Sequence, residues 1–289
     1  MPFYDFGYYN ASYKSSILEE VKKHYSGNSG VQYKTGMTGR KIKISAVRYA
    51  NTYPFIYGLA ETGFDKKVIV TTDHPADCAA KLISGEVDIG LIPVSVLPFL
   101  PEYYIISDFC LGAYGKVRTV MLLSNCTFNE INRINLDYRS RSSVMLARIL
   151  AKNYWKRSFE WENTSQNFDI LKIPHNDAIV LIGDQCYEYE KKFSNRIDLA
   201  DEWYKFTGMP FVFACWTANR KIDKDLLDEF NEALRTGVND IPAVVERYGK
   251  SGIIKGEDLR IYLTENMSFD LNNEKREAIK LFLEYSGKL

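Results

Sequence analysis

Ile134-Asn-Leu-Asp-Tyr-Arg-Ser-Arg-Ser-Ser-Val-Met-Leu-Ala-Arg-Ile-Leu150 is the stretch on which the fold turns. A short apolar strand, Ile134 to Leu136, runs into Ser140-Arg141-Ser142-Ser143. Apolar side chains then recur at helical spacing through Leu146, Ile149, Leu150 and Tyr154. Three hydroxyls and a guanidinium therefore sit where the first helical N–H groups have no intrahelical partner. Amides, hydroxyls and a fork of fixed charge in that position suit an anion, most simply a carboxylate. An ordinary serine cap beside a solvent-facing arginine accounts for the same residues, and on this segment alone both readings stand.

Working outward, the strand-to-helix alternation repeats from residue 41. Strand 42–47 leads into a loop holding Tyr49, Asn51 and Tyr53, then a short helix from Pro54 to Leu59. Strand 67–71 meets Thr72-Asp73-His74-Pro75, where Asp73 is expected to cap a helix from Ala76 to Ser84 that stops at Gly85. Asp88 to Pro93 reads as a short buried strand, and Asp108 to Leu123 as apolar runs separated by Gly112-Ala-Tyr-Gly115. Strand 132–136 opens a second unit. It continues through Asp177 to Ile182, ended by Gly183-Asp184, and then Thr207 to Trp216 as another apolar strand. The remainder is helical, with Leu226, Phe230 and Leu234 on one face and a closing helix carrying Ile279, Leu281 and Phe282. This order predicts an α/β fold, and 289 residues are long for one core, so two lobes are expected. Residues 1–40 stand apart as an N-terminal extension and linker. They carry one weak helical pattern (Ile17, Leu18, Val21, Lys22) and a glycine-dotted run to Arg40. Met37 lies just before the first strand, and the extension is expected to be dispensable to the chemistry.

The bulk composition narrows the function by exclusion. Lys+Arg and Asp+Glu are balanced at 37 each, so neither nucleic acid nor an anionic membrane is indicated as a partner. Five cysteines, odd in number and never in a CxxC pair, argue against a disulfide scaffold and a zinc ribbon. Three scattered histidines, His24, His74 and His175, form no HExxH set, and no metal is expected. The first residues lack a secretory pattern and no run approaches about 18 apolar residues, so a cytoplasmic location is expected. No GxSxG elbow, P-loop or strand-borne GxGxxG is present, which leaves acyl hydrolysis, phosphoryl transfer and dinucleotide binding without support.

Polar clusters fall repeatedly just after the expected strands: Tyr49 to Thr52, Thr71 to Asp73, Gly115 to Thr119, Ser140 to Ser143, and Gly183-Asp184. In open α/β sheets that edge is where ligands bind. Taken singly, Asn51 is equally a turn residue, Asp73 and Asp184 equally caps, and Lys116 and Arg118 equally surface charges. Together they describe a two-lobed α/β protein that binds a small carboxylate, and they leave enzyme and receptor undecided.

Several segments, in order, resemble one family: Val47 to Gly58, Gly85 to Pro93, Gly115 to Val120, Ser140 to Val144, Leu181 to Asp184, and Asp198-Leu-Ala-Asp-Glu-Trp203 running to Thr207-Gly-Met-Pro-Phe-Val-Phe-Ala-Cys-Trp216. The chain is similar over residues 41–220 to the menaquinone-biosynthesis chorismate dehydratases of the futalosine pathway. Gly-Glu-Val-Asp-Ile-Gly occurs across many binding proteins and supports only a fold; the Ser-Arg-Ser-Ser, Ile-Gly-Asp and Thr-Gly-Met-Pro-Phe-Val-Phe set is more particular. The resemblance implies a two-lobed type 2 periplasmic-binding-protein-like fold with the ligand cleft between lobes. Lobe one would comprise 41–130 plus 217–289, and lobe two 131–216. Position by position, Asn51 matches the family's cleft asparagine and Thr119 a position where a catalytic serine is usual. Ser140, Arg141, Ser142 and Ser143 match the carboxylate-binding helix start. Tyr49, Thr72 and Asp184 are expected to bind substrate beside them. The chain departs from the pattern at Thr119, whose methyl restricts the rotamer. It departs also at Lys116, where proline is frequent, and at Ser142, where threonine is common.

The activity implied is a lyase reaction, the removal of water from chorismate to give 3-[(1-carboxyvinyl)oxy]benzoate, with no cofactor. These motifs contain no His, Glu or Lys placed as general base, so the enolpyruvyl carboxylate of the substrate is expected to take the proton itself. A cytosolic binding protein or sensor for a small carboxylate is the alternative of another class. The dihydroxynaphthoate synthase of the same pathway is the alternative within the fold, and the Ser-Arg-Ser-Ser and Gly-Met-Pro-Phe-Val-Phe stretches favour the dehydratase over it.

Overall fold

The computed structural model describes residues 40–289, and the expectations for the N-terminal extension lie outside that range except at Arg40. The strands form two sheets. The first contains β1 (Lys43–Val47), β2 (Ile69–Asp73), β3 (Ile89–Pro93) and β4 (Tyr104–Ala113); the second contains β5 (Val120–Ser124), β6 (Arg133–Leu136), β7 (Glu160–Asn163), β8 (Asp177–Ile182) and β9 (Asn195–Asp198). The chain then returns to the first sheet with β10 (Phe211–Ala218) and β11 (Ser268–Asp270). The orders are β11-β4-β10-β3-β1-β2 and β7-β6-β8-β5-β9. β1 runs parallel to β2 and β3, and β6 parallel to β7 and β8; β10 and β5 enter antiparallel beside β3 and β8. The central strands β3 and β8 are buried along their whole length. Both faces are covered, which is why their sequences, Ile-Gly-Leu-Ile-Pro and Asp-Ala-Ile-Val-Leu-Ile, do not alternate.

The division between lobes differs from the expected one. Residues 120–124, expected in lobe one, pair with β8 and β9, while 211–216, expected in lobe two, pair with β3 and β4. An apolar strand carries no mark of which sheet will take it, since both interiors are equally apolar. The chain therefore crosses between sheets at Tyr114–Thr119 and again at 208–210. Two local expectations also change. Helix Pro75–Ile83 begins at His74 without a side-chain cap. Asp73 instead ends β2 and accepts from the Ser45 and Thr71 hydroxyls and the Lys81 ammonium. Thr207 closes helix Leu199–Thr207 rather than opening a strand, and Asp198 caps that helix by accepting from the Ala200 and Asp201 N–H groups.

Two contacts fix how the site loops are carried. Helix Tyr53–Glu61, which follows the Tyr49–Thr52 loop, lies directly on helix Lys224–Asn239. A Cβ at Gly58 would sit 1.9 Å from the Ala233 carbonyl oxygen, and one at Gly237 1.7 Å from that of Pro54. Only glycine allows that approach. Between the lobes, the buried Trp203 ring meets Phe211 edge-on at 5.6 Å and Phe282 at 6.1 Å, so one continuous apolar core runs under both sheets. Among the described residues no helix is long and apolar enough to cross a membrane.

Candidate active site

The cleft lies where the sheet ends face one another, and holds about 490 Å³ of empty space including its open mouth. Its polar lining comes from Tyr49, Asn51, Thr119 and Ser140 to Ser143; Val47, Pro93, Leu111 and Phe213 supply apolar surface. Of the nine side chains expected at the site, seven line it. Thr72 does not: β2 is the outer strand of its sheet, separated by β1 from β3, whose end forms the floor, and Thr72 is exposed. Asp184 sits behind the lining. Both its oxygens accept from the Ala50 N–H at 3.1 Å, which ties the end of β8 in one lobe to the loop after β1 in the other. Burial raises the Asp184 carboxyl to about 6 despite that hydrogen bond.

The Ser140–Ser143 run is both cap and cleft wall. Ser140 Oγ accepts from the Ser143 N–H at 3.2 Å, the ordinary capping role. Ser142 Oγ donates to the Phe213 carbonyl at 3.0 Å and accepts from the Ser95 N–H at 3.3 Å, joining the helix start to lobe one. The Arg141 guanidinium turns back onto the Tyr138 and Ser140 carbonyls, each at 3.2 Å, while the residue still lines the cleft. Below it, Asp137 accepts from both Arg139 and the Ile182 N–H, locking the end of β6 to that of β8.

On the opposite side, the Tyr49 ring lies flat against Gly183. That residue has φ +76°, and a Cβ there would come within 2.6 Å of the ring. Tyr49 Oη is 3.3 Å from His74 Nδ1. Burial holds the Tyr49 phenol above its ordinary range, and burial with the neighbouring Arg48 and Arg139 charges holds the His74 imidazole below its own.

Thr119 stands at the crossing into the second sheet. The preceding residue, Arg118, has φ +63°, a left-handed conformation that costs a non-glycine residue ~1–2 kcal/mol. The surroundings hold it there. Asp198 accepts from the Val117 and Arg118 N–H groups at 2.9 and 2.7 Å, and the Arg118 guanidinium pairs with Glu190 at 2.8 Å. Thr119 Oγ1 lies 2.9 Å from the hydroxyl of Tyr262, a fully buried residue that the sequence reading did not single out. Tyr262 opens a π-helical turn, Tyr262–Asn266, whose Asn266 side chain donates to the Lys116 carbonyl at 3.3 Å. In the sequence Tyr262 is one more apolar-face residue beside Leu259 and Leu263, and only the wide turn marks it out.

Among the described lining residues the only ionisable side chains are Tyr49, whose phenol burial holds above its ordinary range, and Arg141, whose guanidinium has donors and no acceptor. The cleft can bind an anion, hold a ring on its apolar floor and direct hydroxyl and amide groups at it.

Comparison with known proteins agrees with this architecture. A family model described as menaquinone biosynthesis matches residues 42–288. The chorismate dehydratase of Thermus thermophilus is 26% identical over 260 residues, covering 83% of this chain and 93% of that protein. The chorismate dehydratase of Campylobacter jejuni is 30% identical over 153 residues, covering 52% of this chain and 67% of its own length. Among solved structures, a protein of Archaeoglobus fulgidus superposes with a TM-score of 0.70 at 15% identity, covering 87% of this chain and 98% of that one. The alkanesulfonate-binding protein SsuA of Xanthomonas axonopodis pv. citri, bound to MOPS, gives 0.61 at 12% identity, covering 88% and 95%. At such identities the structural likeness speaks for the fold alone, and that fold is periplasmic-binding-protein-like. With the family match spanning both lobes, the chain belongs to the menaquinone biosynthesis family.

Proposed function

We propose that this protein is a chorismate dehydratase, a carbon–oxygen lyase that forms 3-[(1-carboxyvinyl)oxy]benzoate. The observation that carries the reading is the meeting of Asn51, Thr119 and the Ser140–Ser143 helix start in one cleft, which offers no carboxylate or imidazole among the described residues that line it. The sequence similarity to two chorismate dehydratases supports it. A cytoplasmic location belongs to the same reading and is supported by five cysteines that are all unpaired.

Dehydration requires loss of the C3 proton and the C4 hydroxyl, after which the ring is aromatic. The C3 proton is acidified through the adjacent double bond to the ring carboxylate, so its removal gives a dienolate that then expels hydroxide. The departing hydrogen and hydroxyl share a ring face, which favours this stepwise path. Charge accumulating on the ring carboxylate is stabilised by fixed donors at the start of helix Ser142–Leu150. Asn51 and Thr119 hold the leaving hydroxyl or orient the enolpyruvyl group. With no carboxylate, imidazole or amine among the described lining residues to accept it, the proton goes to the enolpyruvyl carboxylate.

The test is incubation with chorismate followed by mass spectrometry. A product one water lighter is expected, and chorismate bound but unchanged would make the protein a binding module instead. Asn51→Ala and Thr119→Ala should each lower kcat by about 10²-fold while moving KM far less. Variants with unaltered turnover would remove both residues from the mechanism.

A further inference from the structure

We infer that Tyr262 is a positioning residue that sets the direction of the Thr119 hydroxyl toward the cleft. The inference rests on the dehydratase reading of the site. The Tyr262 hydroxyl lies 2.9 Å from Thr119 Oγ1. A phenol is a better hydrogen-bond donor than an alcohol, so Tyr262 donates and Thr119 accepts. Thr119, having accepted, keeps its own O–H for the cleft, which it lines. A hydroxyl so oriented donates to the oxygen that leaves as hydroxide, where negative charge grows along the reaction.

Tyr262 is fully buried and outside the lining, so it acts through Thr119 rather than on substrate. Its ring is wedged edge-on against Tyr187 at 5.9 Å, and the Met267 N–H to Tyr262 carbonyl bond of the π turn holds its backbone. The same turn grips the Lys116 carbonyl through Asn266, so the loop carrying the strained Arg118 is located by one element at both ends. The two residues come from separate places, the crossing into the second sheet and the C-terminal part of lobe one. The contact therefore exists only when that C-terminal part is docked on the crossing.

Steady-state kinetics with chorismate on single and double variants decide the matter. Tyr262→Phe keeps the ring and removes the hydroxyl; kcat should fall about 10- to 100-fold, the scale of a misdirected catalytic group, with KM within about threefold. Thr119→Val removes the hydroxyl that Tyr262 directs, so adding Tyr262→Phe to it should cost nothing more. Thr119→Ser keeps a hydroxyl but loses the methyl that restrains its rotamer. Alone it should stay within about threefold of the parent kcat, because Tyr262 still holds the oxygen, and combined with Tyr262→Phe it should lose more than the two singles multiplied. Full kcat in Tyr262→Phe, or losses that simply multiply with Thr119→Val, overturn the inference. Should Tyr262→Phe fail to fold, Thr119→Ser still decides: a collapse of its kcat to the Thr119→Ala level shows that nothing but the methyl oriented the hydroxyl. If the parent protein itself gives no dehydrated product, the dehydratase reading fails and the positioning role falls with it, an outcome distinct from an active parent with an indifferent Tyr262.

Discussion

Asp184→Asn separates the cost of burying a charge from the benefit of the hydrogen bond it makes. The Asp184 carboxyl is raised from 3.8 to about 6 by burial, and it accepts from the Ala50 N–H across the lobe boundary. A carboxyl whose folded value is raised contributes stability that is fully present below 3.8 and is lost as the pH rises through about 6. At ~1.36 kcal/mol for each pH unit, the loss between pH 3.5 and pH 7 is about 3 kcal/mol. Asparagine is isosteric, uncharged at every pH, and still presents an oxygen to the Ala50 N–H. The stability difference between parent and Asp184→Asn should therefore move by about 3 kcal/mol in the variant's favour from pH 3.5 to pH 7, with most of the change between pH 4 and pH 6.5. Scanning calorimetry of both proteins across that range reads this out. Every other titrating group cancels in the difference, so the comparison does not depend on the acid behaviour of the rest of the chain. Curves that run parallel would refute the reasoning, as they would mean that the carboxyl is solvated in the folded protein and the lobe boundary at Ala50 is open.

Two further perturbations probe the cleft wall. Ser140→Ala removes a helix cap and should cost about 1 kcal/mol of stability by thermal melting. Ser143→Ala leaves that cap in place and should instead weaken chorismate binding about 10- to 100-fold in calorimetric titration, the value of one hydrogen bond to a charged carboxylate; the opposite pattern would exchange their roles. Gly183→Ala places a methyl group in the Tyr49 ring at a left-handed backbone position, and a loss of about 2–4 kcal/mol is expected from backbone and packing terms together. An unchanged melting temperature would show that the ring moves away freely.

What could be read in advance, and what could not, follows from the range of the interactions. Ser140-Arg-Ser-Ser143 was legible because a helix start makes its demands locally: unpaired N–H groups must be met within a few residues, and the hydroxyls that meet them are adjacent in sequence. The alternation of apolar strands with helices was legible for the same reason, and it was enough for an α/β class. Asn51, Thr119 and Gly183 lie at strand ends, where the fold class itself directs attention. Thr72 shares that description and still lies outside the cleft, since a strand's place within its sheet is decided by pairing with distant segments.

The sequence by itself therefore determined the elements, the polar ends that could face a ligand and the family to which they belong. Tertiary structure alone decided which sheet takes 120–124 and 211–218, because hydrophobic burial is non-directional and either interior would serve. It alone brought Tyr262 to Thr119, residues 143 positions apart. A tyrosine on an apolar helical face becomes part of a site only when packing carries its hydroxyl to a partner, and nothing within a turn of it in the sequence records that meeting.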